Sequence, residues 1–107
     1  MVACIIEYRV KPGMEGKLEQ IFGQLMPEIR SIDGFISMDN FQSQTNPGLL
    51  VEISYWRDQG AMEAWMANEA HVKAMPIGRD EIFSWYNIKS LRVDREKEWP
   101  RQARGQE

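Results

Sequence analysis

Apolar and polar positions along the first third of the chain predict a strand followed by a helix. The segment VACIIEYRV, residues 2–10, is rich in β-branched and aromatic residues and runs into Lys-Pro-Gly, which is typical of a strand closed by a turn. From Met14 onward, apolar residues recur every three or four positions, as on one face of a helix: Leu18, Ile21, Phe22, Leu25, Ile29 and Ile32. We expect Pro27 to kink or tighten the last turns of this helix, and Asp33 with Gly34 to end it.

The middle of the chain predicts a hairpin and a second helix. FISMDNFQSQ and LLVEISYW alternate as two strands, and TNPG between them places Pro and Gly in a tight turn, so the strands should pair antiparallel. Asp58 precedes a helical pattern that contains Trp65, His71 and Met75, where it would serve as the N-cap. We expect PIG at residues 76–78 to interrupt this helix.

The segment IFSWYNIKSLRV supplies a fourth strand, and the order of elements becomes β-α-β-β-α-β. This order predicts an α+β, ferredoxin-like fold, in which a four-stranded antiparallel sheet carries two helices on one face. We assign residues 1–94 to this domain. Residues 95–107 form a charged tail without clear periodicity.

The first strand is apolar on both sides. Val2, Cys4, Ile6, Tyr8 and Val10 should point one way, and Ala3 and Ile5 the other. Two helices cover only one face of a sheet, so the second face needs another cover, and a second copy of the same sheet is the economical one. The pattern therefore predicts a homodimer.

The same reasoning places charged residues on the second face, where Glu7, Arg9 and Glu52 could pair across strands or across subunits. Trp85 and Tyr86 are neighbours in the fourth strand, so one must face the helices and the other the dimer side. The pattern does not say which.

Composition and charge narrow the possible functions. The formal net charge of -3 argues against a nucleic-acid partner, and DGFISMDNF resembles an RNA-binding aromatic motif only superficially. No apolar run approaches a membrane span of roughly 20 residues, and MVACIIEYRV lacks the features of a signal peptide. We therefore predict a cytoplasmic protein. Cys4 is the single cysteine and is expected to be a buried, inert thiol.

Familiar catalytic motifs are missing from the sequence. It contains no set of Cys or His residues at metal-ligand spacing, no Gly-rich phosphate loop after a strand and no Gly-x-Ser-x-Gly elbow. No metal site is predicted. The one histidine, His71, lies close to Trp65 in the second helix and is the first candidate for chemistry, because imidazole titrates near neutral pH.

Three segments carry a resemblance to a known family: KPGMEGKLEQIF, IDGFISMDNFQS and EISYWRDQGAMEAWMANEAH. In their order and spacing the chain resembles the antibiotic biosynthesis monooxygenase (ABM) superfamily of dimeric α+β-barrel proteins, over residues 2–94. The resemblance implies a cleft between helices and sheet in each subunit. Members include oxygenases of aromatic polyketides that need neither metal nor flavin, haem-degrading monooxygenases, an isomerase and proteins without known activity.

The haem-degrading branch provides one comparison. Its helix Trp, which presses on the porphyrin, matches Trp65, but its strand-one Asn is replaced here by Tyr8 and its proximal His by Met75. Methionine can also ligate haem iron, so haem remains an alternative cofactor. In the cofactor-free branch, many relatives carry a small polar residue and a His at the positions of Asn68 and His71.

The resulting prediction is a cofactor-independent monooxygenase that acts on a small aromatic or quinol-type molecule. His71, Trp65 and Tyr8 are the predicted catalytic residues, and the substrate would lie against Trp65, Tyr8, Phe22, Asn68 and Met75. Two alternatives stay open: a haem-binding or haem-degrading monooxygenase, and a dimer that binds a small ligand without catalysis.

Overall fold

The computed structural model describes residues 1–100 and has the predicted architecture. In chain order its elements are β1 (Val2–Val10), α1 (Glu15–Arg30), β2 (Phe35–Gln42), β3 (Leu50–Trp56), α2 (Gln59–Met66), α3 (Glu69–Ile77), a π-helical turn (Gly78–Ile82) and β4 (Phe83–Arg92). Residues 93–98 of the C-terminal segment are neither helix nor strand, and residues 101–107 of the predicted tail lie outside the described residues.

The four strands form one antiparallel sheet in the order β2-β3-β1-β4. The predicted hairpin joins β2 to β3, and Gly48 in its loop has φ +81°, a left-handed conformation that a side chain would disfavour. Gly34, with φ +94°, makes the turn between α1 and β2. The α+β ferredoxin-like prediction is confirmed.

Two buried clusters fix the helices to one face of the sheet. Ile29 of α1 packs with Trp56 of β3 and Ala61 of α2, and both Ile29 and Trp56 are only 1% exposed. At the other end of the sheet Tyr8 packs with Leu18 of α1 and Ile82 of the π-helical turn. Pro27 lies inside α1, and the helix continues through Arg30.

The predicted second helix is divided at a place that the sequence reading did not anticipate. We expected residues 76–78 to interrupt it, but α2 ends at Met66, α3 begins at Glu69, and Pro76 lies within α3. Asn68 causes the change, because its side chain accepts the backbone N–H of His71 at 3.1 Å and starts a new helix. Asp58 caps α2 as predicted, through Ala61 N–H at 2.9 Å.

The strand register settles which side chains share a face. Residues directly opposite one another in antiparallel strands point the same way. Tyr86 pairs with Tyr8 and therefore faces the helices, whereas Trp85 pairs with Arg9 and faces away from them.

Glu52 pairs with Ile6, whose side chain lies on the helix side, so the prediction that Glu52 lies on the second face is wrong. The error has a physical cause. Val51, Ile53 and Tyr55 are apolar and alternate with Glu52 and Ser54, so amphipathic reasoning turns the wrong set inward. In this protein the apolar set forms the outer face of the sheet.

The outer face carries large exposed apolar side chains, among them Phe41 at 51% and Trp85 at 46% exposure. Glu7 pairs there with Lys89, with 3.4 Å between Oε1 and Nζ. Within residues 1–100, no helix is long and apolar enough to cross a bilayer.

Candidate functional site

A cavity of about 300 Å³ separates the helices from the sheet. Its floor is the inner face of the sheet, and its roof is formed by α1, α2, α3 and the π-helical turn. Most of the lining is apolar, and a small set of polar side chains faces into it, as in typical small-molecule sites: Cys4, Tyr8, Glu52, Ser54, Trp65, His71, Arg79 and Tyr86.

His71 and Trp65 form one unit at the roof. The imidazole stacks on the indole, with 4.4 Å between ring centroids and 15° between planes, and His71 Nδ1 lies 3.2 Å from the carbonyl oxygen of Trp65. A carbonyl only accepts, so Nδ1 carries the hydrogen and Nε2 of the neutral ring keeps a free lone pair. Burial lowers the pKa of His71, which keeps the ring neutral at pH 7.

The break between α2 and α3 makes this unit possible. In an unbroken helix the Trp65 carbonyl would accept the backbone N–H four residues later. Here α2 has ended, so the carbonyl is free for Asn68 N–H at 3.0 Å and for the imidazole. Asn68 does not line the cavity, because its side-chain oxygen caps α3 at the backbone N–H of His71.

Tyr8 lies on the floor and is 4% exposed. Its hydroxyl donates to Oδ1 of Asn40 at 3.1 Å, and its ring meets Phe83 edge-on with 5.3 Å between centroids. Burial, and to a lesser extent the carboxylate of Glu52, raises the pKa of Tyr8 to about 12. The phenol is therefore a hydrogen-bond donor throughout the physiological range, not a base.

Glu52 lies in the middle of the floor, between Asn40 of β2 and Ile6 of β1. Within residues 1–100 its carboxylate has neither a hydrogen bond nor an ion pair. Burial raises its pKa to about 7, because nothing compensates the charge that ionisation creates there. A carboxyl that exchanges its proton near neutral pH is thus part of the cavity wall.

The remaining predicted residues lie around the cavity. Phe22 of α1 contributes to the roof, and Met75 of α3 is 41% exposed at the margin. Arg79 of the π-helical turn also reaches the lining, and its Nε bonds Oδ1 of Asp80 at 3.0 Å.

The structure therefore brings five predicted site residues into one cavity: Tyr8, Phe22, Trp65, His71 and Met75. Sequence reasoning missed five polar members of the lining: Cys4, Glu52, Ser54, Arg79 and Tyr86. The sequence held a signal for Glu52, because the large aromatic residue Trp56 ends the same strand and residues four apart in a strand share a face. Arg79 had no comparable signal, since its position depends on the π-helical turn.

A metal and a haem are poorly matched to these residues. The described part of the chain has no cluster of three His, Cys, Asp or Glu side chains able to hold a metal ion. For haem, Nε2 of His71 and the thioether of Met75 are possible axial ligands. However, a porphyrin bears two carboxylates, whereas Arg79 is already paired with Asp80 and Glu52 adds a charge of the same sign as the porphyrin's. The cavity, at about 300 Å³, is also at the lower limit of small-molecule sites.

The fold and cavity together define an α+β ferredoxin-like domain with an internal site for a small, mostly apolar molecule. The family model described as antibiotic biosynthesis monooxygenase matches residues 1–76, which is most of the chain. The chain therefore belongs to the antibiotic biosynthesis monooxygenase family.

One relative is the "Jasmonate monooxygenase ABM" of Pyricularia oryzae. It is 33% identical over 89 residues, which cover 83% of this chain and 41% of the relative. The chain thus spans about two-fifths of that protein's length.

Solved structures agree on the fold. Rv0793 from Mycobacterium tuberculosis superposes with a TM-score of 0.78 at 19% identity, covering 91% of this chain and 98% of its own. SnoaB, a cofactor-independent oxygenase from Streptomyces nogalater, gives a TM-score of 0.74 at 15% identity over 89% of this chain and 94% of its own. At these identities the likeness concerns the fold alone.

Proposed function

We propose that this protein is a cofactor-independent monooxygenase of a small aromatic or quinol-type substrate, bound in the cavity between helices and sheet. The observation that carries the proposal is the unit of His71 and Trp65. It combines a flat aromatic surface with an imidazole whose free nitrogen, Nε2, belongs to a neutral ring inside an apolar cavity. Family membership supports the oxygenase class.

The chemistry needs no external reductant. When a phenol is oxidised by O2 to a quinone, the substrate loses one C–H and one O–H hydrogen. One oxygen atom becomes the new carbonyl, and the other leaves as water. All four electrons that O2 accepts come from the substrate, so the protein must supply only proton transfer and stabilisation of charge.

Each residue of the site has a task in this proposal. Nε2 of His71 accepts a substrate proton, and Trp65 and Phe22 hold the ring. The Tyr8 hydroxyl, which stays protonated, steadies negative charge on oxygen by transferring its hydrogen bond from Asn40 to the substrate. Met75 adapts the margin of the cavity to the substrate. Asn68 is a positioning residue, since it acts through the cap that sets His71.

The relative from Pyricularia oryzae supports the class and broadens the set of substrates to test, and SnoaB shows that the fold can host this chemistry. SnoaB carries the description cofactor-independent oxygenase. The relative from Pyricularia oryzae is named for jasmonate, a small cyclic ketone with a carboxylate, so jasmonate joins phenols and hydroquinones as a test compound. The alternatives are a haem-binding or haem-degrading enzyme and a binding protein without catalysis.

Oxygen uptake tests the proposal. Purified protein is assayed with a panel of phenols, hydroquinones, naphthols and jasmonate, with and without a metal chelator. We expect uptake with at least one compound, insensitive to chelator and lost in His71→Ala. The matched control is Val72→Ala, next to His71 on α3, exposed and outside the cavity lining.

Two other outcomes would replace the proposal. Saturable haemin binding with a Soret shift that disappears in Trp65→Ala would favour the haem alternative. Tight binding of a panel compound with no oxygen uptake under any condition would favour the non-catalytic alternative.

We also propose that the outer face of the sheet closes a homodimer. Phe41, Trp85 and Leu91 leave apolar surface exposed on one continuous face, and burial of such surface is the main driving force of association. Sedimentation should give a dimer mass for the wild type and a monomer mass for Phe41→Glu with Trp85→Glu. A monomeric wild type at micromolar concentration would contradict this assembly.

A further inference from the structure

Glu52 is the one acid among the described residues that line the cavity, and the proposed role of His71 does not use it. It projects from the centre of β3, with Asn40 and Ile6 as its cross-strand neighbours. Its partial exposure is to the cavity, because the helices cover this face of the sheet. The carboxyl is therefore accessible to a bound molecule.

Every element packed around the cavity leaves Glu52 without a countercharge. β1 presents the Cys4 thiol and the Tyr8 phenol, β4 presents the Tyr86 phenol, and α1 and α2 present no ionisable group. His71 of α3 is neutral at pH 7, and Arg79 of the π-helical turn is paired with Asp80. After burial, the carboxylate of Glu52 is the second cause that raises the pKa of both Tyr8 and Cys4, which lie beside it on the floor.

An unpaired carboxylate in such a place discriminates strongly between ligands. A hydroxyl that donates to it forms a charge-assisted hydrogen bond, which is about twice as strong as a neutral one. A ligand carboxylate brought to the same spot meets a like charge in surroundings of low polarity, which is unfavourable.

We propose that Glu52 is the floor acceptor of the site, meaning that its carboxylate accepts a hydrogen bond from the ligand. Glu52 thereby selects ligands that present a phenol or enol hydroxyl to the sheet, and it takes the proton of that hydroxyl. This assignment rests on the proposed oxygenase function and names its substrate class more narrowly. It also divides the proton transfers between two faces of the cavity, with Glu52 below the substrate ring and His71 above it.

The proton transfers balance. The substrate O–H bond breaks, its electron pair stays on oxygen as phenolate, and the proton forms a new O–H bond on Glu52. The phenolate reduces O2 and forms a C–O bond to it, and Glu52 returns its proton to the distal oxygen of the resulting peroxide. Nε2 of His71 then removes the C–H proton as the O–O bond breaks, and hydroxide takes that proton to leave as water. Glu52 suits both directions of transfer, since its pKa is about 7.

Binding of two matched probes tests the assignment without any turnover. We would measure 1-naphthol and 1-naphthoate by calorimetry at pH 8 with wild type, Glu52→Gln and Glu63→Gln. Glu63 is an exposed glutamate of α2 outside the cavity lining, so its variant makes the same chemical change elsewhere. We expect wild type and Glu63→Gln to prefer naphthol about tenfold or more, and Glu52→Gln to lose most of that preference.

A pH series gives a second readout that a merely structural role would not change. Naphthoate stays ionised between pH 8 and pH 6, so its affinity for wild type should rise as Glu52 takes up a proton in this range, and should stay nearly flat in Glu52→Gln. If that variant does not fold, the wild-type series still decides.

Three results would overturn the assignment: naphthol that does not bind, equal affinities of the two probes, or a preference unchanged in Glu52→Gln. These results are separable from the fate of the oxygenase proposal. A preference for the hydroxyl probe without oxygen uptake would support Glu52 as the floor acceptor and contradict catalysis. Oxygen uptake without that preference would support catalysis and contradict the role of Glu52.

Discussion

The imidazole of His71 lies flat on the indole of Trp65 and at the same time donates Nδ1–H to the Trp65 carbonyl, at 3.2 Å. One residue thus fixes both the plane and the tautomer of its neighbour. A histidine held in this way keeps its hydrogen on Nδ1 and leaves Nε2 as the nitrogen that can accept a proton. The tautomer is therefore fixed before any substrate binds.

Replacing His71 should therefore affect turnover far more than stability. We expect His71→Ala to lower kcat about 10²–10⁴-fold, the usual contribution of a positioned general base. Because the ring is only half-buried, the free energy of unfolding should fall by no more than about 1 kcal/mol. Oxygen uptake and urea denaturation measure the two effects, and a variant that loses stability and activity in proportion would contradict the assigned role.

The pH dependence of His71 has a definite sign. Burial lowers its pKa from the ordinary value of 6.5, so the unfolded chain takes up a proton first as pH falls. The stability contribution of this residue is therefore complete above pH 6.5 and is lost as pH decreases through the folded-state pKa. We expect Glu52 to cause a first decline of kcat near pH 7 and His71 to cause a further decline below pH 6.5, and His71→Gln to lack this lower acidic limb.

Glu52 should produce the opposite trend. Its pKa is raised from 4.5 to about 7, so the folded protein binds the proton more tightly than the unfolded chain does. The contribution of Glu52 to the free energy of unfolding is therefore largest below pH 4.5. It decreases by up to about 3 kcal/mol as pH rises through 7.

The measurement is the difference in unfolding free energy between Glu52→Gln and wild type across pH 5 to 8. As pH rises, the free energy of unfolding of Glu52→Gln should increase relative to that of the wild type. Glu63→Gln should show no such increase. A difference that stays constant with pH would mean that the carboxyl is solvated or paired in solution.

The hydrogen bond from Tyr8 to Asn40 joins two elements 32 residues apart in sequence. Tyr8→Phe and Asn40→Ala should each cost about 1 kcal/mol, and the double variant should cost little more than either, since both remove the same bond. With a pKa near 12 for Tyr8, Tyr8→Phe should leave the pH profile of turnover unchanged between pH 6 and 9 and lower its height. A shifted profile would assign proton transfer to the phenol.

The cap at Asn68 links helix stability to the site. Asn68→Ala removes the acceptor for His71 N–H and should cost about 1 kcal/mol, together with a loss of activity, whereas Asn68→Asp keeps the acceptor and should retain both. The reference is Asp58→Ala, which removes the equivalent cap of α2 at Ala61 without touching His71. If both Ala variants lose the same activity, Asn68 has no special connection to the site.

Much of this architecture was readable from the sequence because apolar periodicity is a local property. The alternation in β1, the spacing of Leu18 and Ile29 in α1 and the Asp58 cap each depend on near neighbours, and all appear as expected. Placing Trp65 and His71 in one cavity followed from their proximity on the chain and from the family resemblance.

Other features depend on packing that a single sequence does not reveal. Val51 and Ile53 form an apolar outer face, so amphipathic reasoning turns that side of β3 inward and places Glu52 outside. The side chain of Asn68 can cap a new helix instead of letting the preceding one continue. Whether the helix breaks there depends on which donors the freed Trp65 carbonyl finds. Arg79 lies in the π-helical turn, an element that no pattern in the sequence predicts.

The short connection from Trp65 to His71, across the break between α2 and α3, behaves unlike an ordinary surface loop, where insertions are well tolerated. One residue added between Asn68 and His71 would rotate the imidazole by about 100° around the axis of α3 and separate it from both the indole and the carbonyl. The number of residues in this connection is therefore as much a part of the site as the side chains, and homologues that vary in length here should differ in chemistry even where their cavity residues are identical.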